Sequence, residues 1–184
     1  MIEVSEYKGL TIGPVTRDVA QAAANEKWLE DETENRQQGF GKGYNGRANA
    51  IEGLLSLFER NHLEKDFGVI GVYLEEKPTG FAAVELHPDQ RLADVYLFIS
   101  PNRRKQGIGT AVLNYLLGVI YANNTYRVQV DLLKINKEGV QFLRDRGFTW
   151  ESTKKSAYWM DNNVYDIAHL RMLRPDWHEQ NKED

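Results

Sequence analysis

The stretch Leu97-Phe-Ile-Ser-Pro-Asn-Arg-Arg-Lys-Gln-Gly-Ile-Gly-Thr110 joins a β-rich run, a short basic turn and the start of an amphipathic helix. Each part suits a polyanion. The first amides of a helix lack intrahelical acceptors and sit at the positive end of its dipole. Gly107 and Gly109 would let a phosphate approach the backbone and permit positive φ. Arg103, Arg104 and Lys105 add full charges to a chain whose formal net charge is −4. The chemistry expected of this segment is the holding of a diphosphate. A bare Gly-x-Gly also fits an ordinary strand–turn–helix joint, so the pattern needs its context.

Three carboxylates fall on expected strands. With His87 to Gln90 as a turn, Glu85 and Asp94 share a face with Leu92, Tyr96 and Phe98 and become diagonal neighbours. Such a pair would raise one pKa towards that of a useful base. Asp131 shares a face with Arg127 and Gln129. A solvated strand face would explain all three equally well. His62, His87, His169 and His178 show no metal-ligand spacing, so no metal is expected. The absence of cysteine excludes a thiol nucleophile, a disulfide framework and cysteine-ligated metal.

The elements that must position these residues are legible in the periodicity. Leu10 to Val15 reads as a strand, and Asp18 to about Asn35 as a polar, alanine-rich helix. Gly39 to Gly46 is a glycine-rich loop, and Ala48 to His62 has an apolar stripe at helical spacing. Gly41 to Gly46 fits Gly-x-Gly-x-x-Gly, but the polar run Asp31 to Gln38 before it is not the strand that a dinucleotide site needs. Phe67–Leu74, Gly80–Leu86 and Leu92–Ile99 form a three-strand meander. A helix over Gly107–Tyr121 and a strand over Tyr126–Leu133 follow. Asn136 is placed to cap a further helix that ends at Gly147. Phe148–Lys154 and Tyr158–Leu173 complete the strands, and the residues from Pro175 onward form a polar, loose tail. Trp28, Trp150 and Trp159 read most simply as core aromatics.

The 184 residues, 41% hydrophobic, suffice for one domain with its own core, placed at 1–174 with a tail at 175–184. The acidic balance argues against generic binding to nucleic acid or anionic membranes. No bilayer-spanning run and no signal peptide are expected, which points to a cytoplasmic protein.

With that context, Arg104-Lys-Gln-Gly-Ile-Gly109 resembles the R/Q-x-x-G-x-G/A loop of the GNAT family of N-acetyltransferases. Asn136 to Phe148 is similar to that family's second signature, N-x-x-A-x-x-F-Y-x-x-x-G-F, and Leu10 to Asp18 looks like its opening strand and turn. The resemblance implies a mixed α/β fold with a mostly antiparallel central sheet and flanking helices. It also implies acetyl-CoA as donor, and a small-molecule, peptide or protein amine as acceptor. Direct attack in a ternary complex is implied because no cysteine can carry the acetyl group. Homodimers are common in the family.

By the same resemblance, the backbone of Leu97, Phe98 and Ile99 would bond the pantetheine arm where this strand splays from Tyr126–Leu133. The amides from Arg104 through Lys105, Gln106, Gly107, Ile108 and Gly109 to Thr110 would hold the pyrophosphate, and Asn136 would meet the cofactor. Asp131 matches the place of a glutamate base in the ribosomal-protein acetyltransferases. Ala93 stands where the histone-acetylating branch has its glutamate, so Glu85 and Asp94 remain as alternatives. Leu143 replaces the family tyrosine acid. Tyr158, Tyr165 or bulk water are the alternatives for the acid, and no spacing rule chooses. Phe40, Tyr44 and Arg47 fall where the family shapes its acceptor pocket. A CoA-binding or protein-interaction module with little or no catalysis is the rival reading.

Overall fold

The computed structural model describes residues 1–25, 66–160 and 162–182. Among these, β1 is Ile2–Glu3, β2 Leu10–Pro14, β3 Phe67–Leu74, β4 Lys77–His87, β5 Leu92–Ile99, β6 Arg127–Leu133, β7 Thr149–Met160 and β8 Asn163–Leu173. The helices are α1 (Arg17–Asn25), α2 (Ile108–Ala122), α3 (Lys137–Arg144) and α4 (Arg174–Gln180). The α/β class expected from the sequence is the class observed. The later part of the first helix, the Gly39–Gly46 loop with Phe40, Tyr44 and Arg47, the Ala48–His62 helix and Trp28 lie outside the described residues. No described helix is long and apolar enough to cross a membrane.

The strands form one sheet in the order β1-β2-β3-β4-β5-β6-β8-β7. Every neighbouring pair is antiparallel except β5 and β6. A parallel pair needs a crossover, and α2 supplies it. Its Ile108, Val112, Leu113, Leu117 and Ile120 are buried against Ala93 and Val95 of β5 and Val128 and Val130 of β6. Full burial of each such aliphatic side chain is worth roughly 1.5–3 kcal/mol, so this packing fixes the joint between strand and helix. On the opposite face, Val19 and Ala23 of α1 pack on Tyr73, Phe81 and Phe98.

Three expectations need correction. The segment from Pro175 is not loose, because α4 docks Trp177 on the core, its ring centroid 5.3 Å from that of Tyr121. Proline is harmless there because a first-turn amide has no intrahelical partner to lose. The break expected between Lys154 and Tyr158 is an irregularity within β7, where Ser156 has φ +48° and its amide donates to Asp166 Oδ1 at 3.1 Å. The strand therefore continues to Met160, and β8 begins only at Asn163. Trp159, read as a core residue, is 65% exposed on this hairpin.

Candidate functional site

The parallel pairing of β5 and β6 is brief. It covers Leu92–Asp94 against Arg127–Gln129 and then stops, although both strands continue. The gap opens into a cavity of about 800 Å³ between the two strands, the start of α2 and α3. Ligand pockets generally have volumes of about 300–1,000 Å³. This is the splay that the family resemblance implies.

One end of the cavity is the first turn of α2. Gly107 caps the helix at φ +86° with no side-chain cap, so the following amides of Ile108, Gly109 and Thr110 have no intrahelical acceptor. Among the described residues a Cβ on Gly107 would meet only Tyr7, at 3.5 Å, and none of them closes the approach to these amides. At Gly109 an added Cβ would lie 3.4 Å from the Phe142 ring, an ordinary van der Waals distance, where α2 faces the residue from α3. Leu97, Ile99, Arg104, Lys105, Gly107, Gly109, Thr110 and Asn136 all line the cavity. Three other expected residues do not: Phe98 is buried and stacks on Phe81, Gln106 is exposed, and Ile108 points into the core. Asn136 also caps α3, its Oδ1 accepting from the Gly139 amide at 2.8 Å.

Arg146 is a cation that the sequence reading missed. It donates to Thr110 Oγ1 and to the Phe142 carbonyl, and its guanidinium lies 4.1 Å from the Phe142 ring centroid. This ties the end of α3 to the first turn of α2 and keeps a permanent charge on the cavity wall. Arg104 donates through Nε to the Ile99 carbonyl at 3.0 Å and so braces the loop after β5.

At the other end, the gap reaches a polar face of the sheet. Glu85 and Asp94 are directly opposed across β4 and β5, not diagonal as expected. The difference arises because the turn is a 3-10 segment, Pro88–Gln90, closed by Arg91 in the left-handed region, which pairs His87 with Leu92. Both Asp94 oxygens are engaged, Oδ2 with His87 Nε2 at 2.8 Å and Oδ1 with Gln129 Nε2 at 2.9 Å. Neither Glu85 nor Asp94 lines the cavity, whereas Asp131 does.

Asp131 belongs to a network spanning β6, β8 and β7. His169 lies opposite it on β8, 8% exposed, with Nδ1 at 2.6 Å from Asp131 Oδ1. Arg127 Nη2 approaches His169 Nε2 at 3.0 Å. A guanidinium only donates, so toward Arg127 a neutral His169 accepts at Nε2 and donates from Nδ1 to Asp131; Glu151 Oε2 also lies 3.3 Å from Nε2. Arg127 is also paired with Glu151, and that hydrogen bond is the main cause holding the Glu151 carboxyl below its usual range. Glu151 reaches this face from an irregularity in β7 between Trp150 and Ser152, the kind of bulge that re-aims a side chain. Lys154 Nζ completes the network at 2.5 Å from Asp131 Oδ2.

Tyr158, the expected acid candidate, pairs with Tyr165 beyond the last β6–β8 pair, Leu133 with Ile167, and does not line the cavity. Leu143 is buried at the family's tyrosine position. Among the described residues the one tyrosine lining the cavity is Tyr96. No described group of three or more histidine, aspartate or glutamate side chains could hold a metal ion.

Residues 23–148 match the model of the Acetyltransferase (GNAT) family. The chain belongs to that family. As a GNAT N-acetyltransferase it uses acetyl-CoA as donor, and the open amides, cavity-lining cations and splayed strands fit a long polyanionic thioester. No curated protein sequence matches. Solved GNAT structures share the fold at low identity. A probable acetyltransferase aligns with TM-score 0.79 at 16% identity over 96% of this chain and 98% of its own. A Salmonella typhimurium acetyltransferase that modifies the N-terminal serine of ribosomal protein L7/L12 aligns with TM-score 0.78 at 14% identity, over 94% and 98%. Spermidine N-acetyltransferase from Vibrio cholerae, in complex with CoA and spermine, aligns with TM-score 0.74 at 15% identity, over 94% and 99%.

Proposed function

We propose that this N-acetyltransferase carries acetyl from acetyl-CoA directly to a primary amine that reaches the polar sheet face as an ammonium ion. The observation that carries the reading is the early end of the β5–β6 pairing. It opens one continuous cavity from the unpaired amides of α2 to Asp131. The first turn of α2 would hold the pyrophosphate, with Arg146 and Lys105 supplying charge. The edge of β5 beyond Asp94, which has no β6 partner, would bond the pantetheine arm as an added strand would. When bound, acetyl-CoA supplies an electrophilic thioester carbonyl.

Asp131 is assigned as the proton acceptor because it alone of the three sequence-selected carboxylates lines the cavity. His169, donating to Oδ1, would fix the orientation of the carboxylate, and Oδ2 faces the cation position. A carboxylate in this setting binds the incoming ammonium and takes its proton as nitrogen attacks. Tyr96 is the better-placed proton donor to the departing thiolate, in place of Tyr158. The acceptor could be a small polyamine or a peptide amine, since relatives of this fold named above act on each. A cytoplasmic location remains part of the proposal.

The test is calorimetry with acetyl-CoA followed by thiol release across a panel holding spermidine, a peptide with a free N-terminal serine and a lysine peptide. Binding with turnover on one class supports the reading. Binding without turnover on any would instead identify a CoA-binding module, and absence of binding would refute the cavity assignment.

A further inference from the structure

We infer that Lys154 Nζ occupies the acceptor's ammonium position on Asp131, and that without an amine substrate Lys154 is itself acetylated; this rests on Asp131 being the proton acceptor proposed above. The two oxygens of Asp131 are held differently. Oδ1 lies 2.6 Å from Nδ1 of buried His169, whose Nε2 faces both Arg127 and Glu151. Oδ2 takes a cation, and the cation present is Lys154 Nζ at 2.5 Å. Lys154 lies on β7, two strands from Asp131, and extends across β8 to reach it. Its side chain is 48% exposed and that of Asp131 33%, so the pair is accessible and not locked in the core.

The group that Lys154 places there is a primary amine on a flexible four-carbon stem, the same functional group as an acceptor. Nearby lysines differ. Lys155 pairs with Asp166 and is 74% exposed, and Asp166 does not line the cavity. Lys105 pairs with Glu138 at the α2 end, away from the polar face. The step balances without another reactant. The ammonium loses a proton to Asp131, its nitrogen bonds to the thioester carbonyl carbon, the carbon–sulfur bond breaks as the nitrogen gives up a second proton, and the thiolate takes up one of the two. The products are Nε-acetyl-Lys154, free CoA and one proton released to solvent. The acetylated side chain has lost its charge and can no longer pair with Asp131.

The full chain incubated with acetyl-CoA and no amine tests this, with peptide mass mapping over time. The expected result is acetyl on Lys154 at a rate at least about tenfold above that on Lys155, as general-base assistance requires. Uncatalysed acetylation would favour Lys155, the more exposed amine, so equal or faster labelling of Lys155, or none at Lys154, overturns the inference. Asp131→Asn separates the two levels. If it slows transfer to panel amines while wild-type Lys154 is never labelled, the Asp131 assignment stands and the inference falls. If it leaves both amine transfer and Lys154 labelling unchanged, the assignment falls and the inference with it.

Discussion

Asp131→Asn is the substitution whose consequences the geometry defines most fully. The asparagine carbonyl can still accept from His169 Nδ1 in place of Oδ1, where the present distance is 2.6 Å. Its amide nitrogen then faces Lys154 Nζ, a donor against a donor. The lost ion pair is about one-third to one-half exposed, so its contribution is about 0–1 kcal/mol after screening. The variant therefore folds, and its melting temperature changes by a few degrees at most. Catalysis should suffer far more, because loss of a positioned base costs about 10²- to 10⁴-fold in rate, or about 3–5 kcal/mol of transition-state free energy. The assay is thiol release at saturating acetyl-CoA, with calorimetry for the cofactor and circular dichroism for the fold. Cofactor affinity should be nearly unchanged, since the pyrophosphate site is at the other end of the cavity. Asp94→Asn should lower kcat much less, because Asp94 is engaged by His87 and Gln129 outside the cavity. A kcat for Asp131→Asn within about tenfold of wild type, or a larger fall for Asp94→Asn, would refute the assignment of the base.

Other substitutions test the remaining parts. Gly107→Glu puts a side chain and a negative charge at a φ +86° position beside the open amides; acetyl-CoA binding should vanish while circular dichroism shows a folded protein, and unchanged affinity would refute the phosphate site. Tyr96→Phe should lower kcat more than Tyr158→Phe does, and the reverse order in the thiol-release assay would return the acid role to the hairpin. Burial, with a smaller contribution from Asp176, raises the Tyr121 hydroxyl pKa. The folded state thus keeps a proton that the unfolded chain releases near pH 10, so the associated stability is complete below about pH 10 and declines above it. Denaturant titrations at pH 8 and 11 should show this alkaline loss in wild type and not in Tyr121→Phe. At pH 8 the variant should be about 1–3 kcal/mol less stable, for want of the 2.9 Å hydrogen bond to the Met172 carbonyl. Parallel alkaline losses in the two proteins would contradict the role of the hydroxyl.

Where local periodicity and turn chemistry agree, the fold can be read from the sequence. Phe67–Leu74 and Leu92–Ile99 are strands over the bounds that their β-branched and aromatic runs indicate. Asn136 caps α3, and Gly147 takes the left-handed φ of +84°. What was missed depends on contacts distant in sequence. Lys155-Ser-Ala157 looks like a break because its composition masks a strand irregularity held by Asp166. The tail is held by Trp177 on Tyr121 and by Asp176 on Arg171, contacts that no period announces. His169 is one polar residue within a long strand, and its pairing with Asp131 follows only from the β6–β8 register, with α3 and β7 intervening in the chain. Arg146 stands inside the second signature, where a motif comparison reads only Gly147 and Phe148.

The central claim is that one cavity carries the donor from the α2 amides to Asp131. A crystal structure of the acetyl-CoA complex tests it most directly. The predicted result is density with pyrophosphate oxygens on the amides from Gly107 to Thr110 and the thioester in the gap between Val95–Leu97 and Val130–Leu132, on the side of Asp131. Density that leaves this gap empty, or that places the thioester beside Asp94 and away from Asp131, would contradict it.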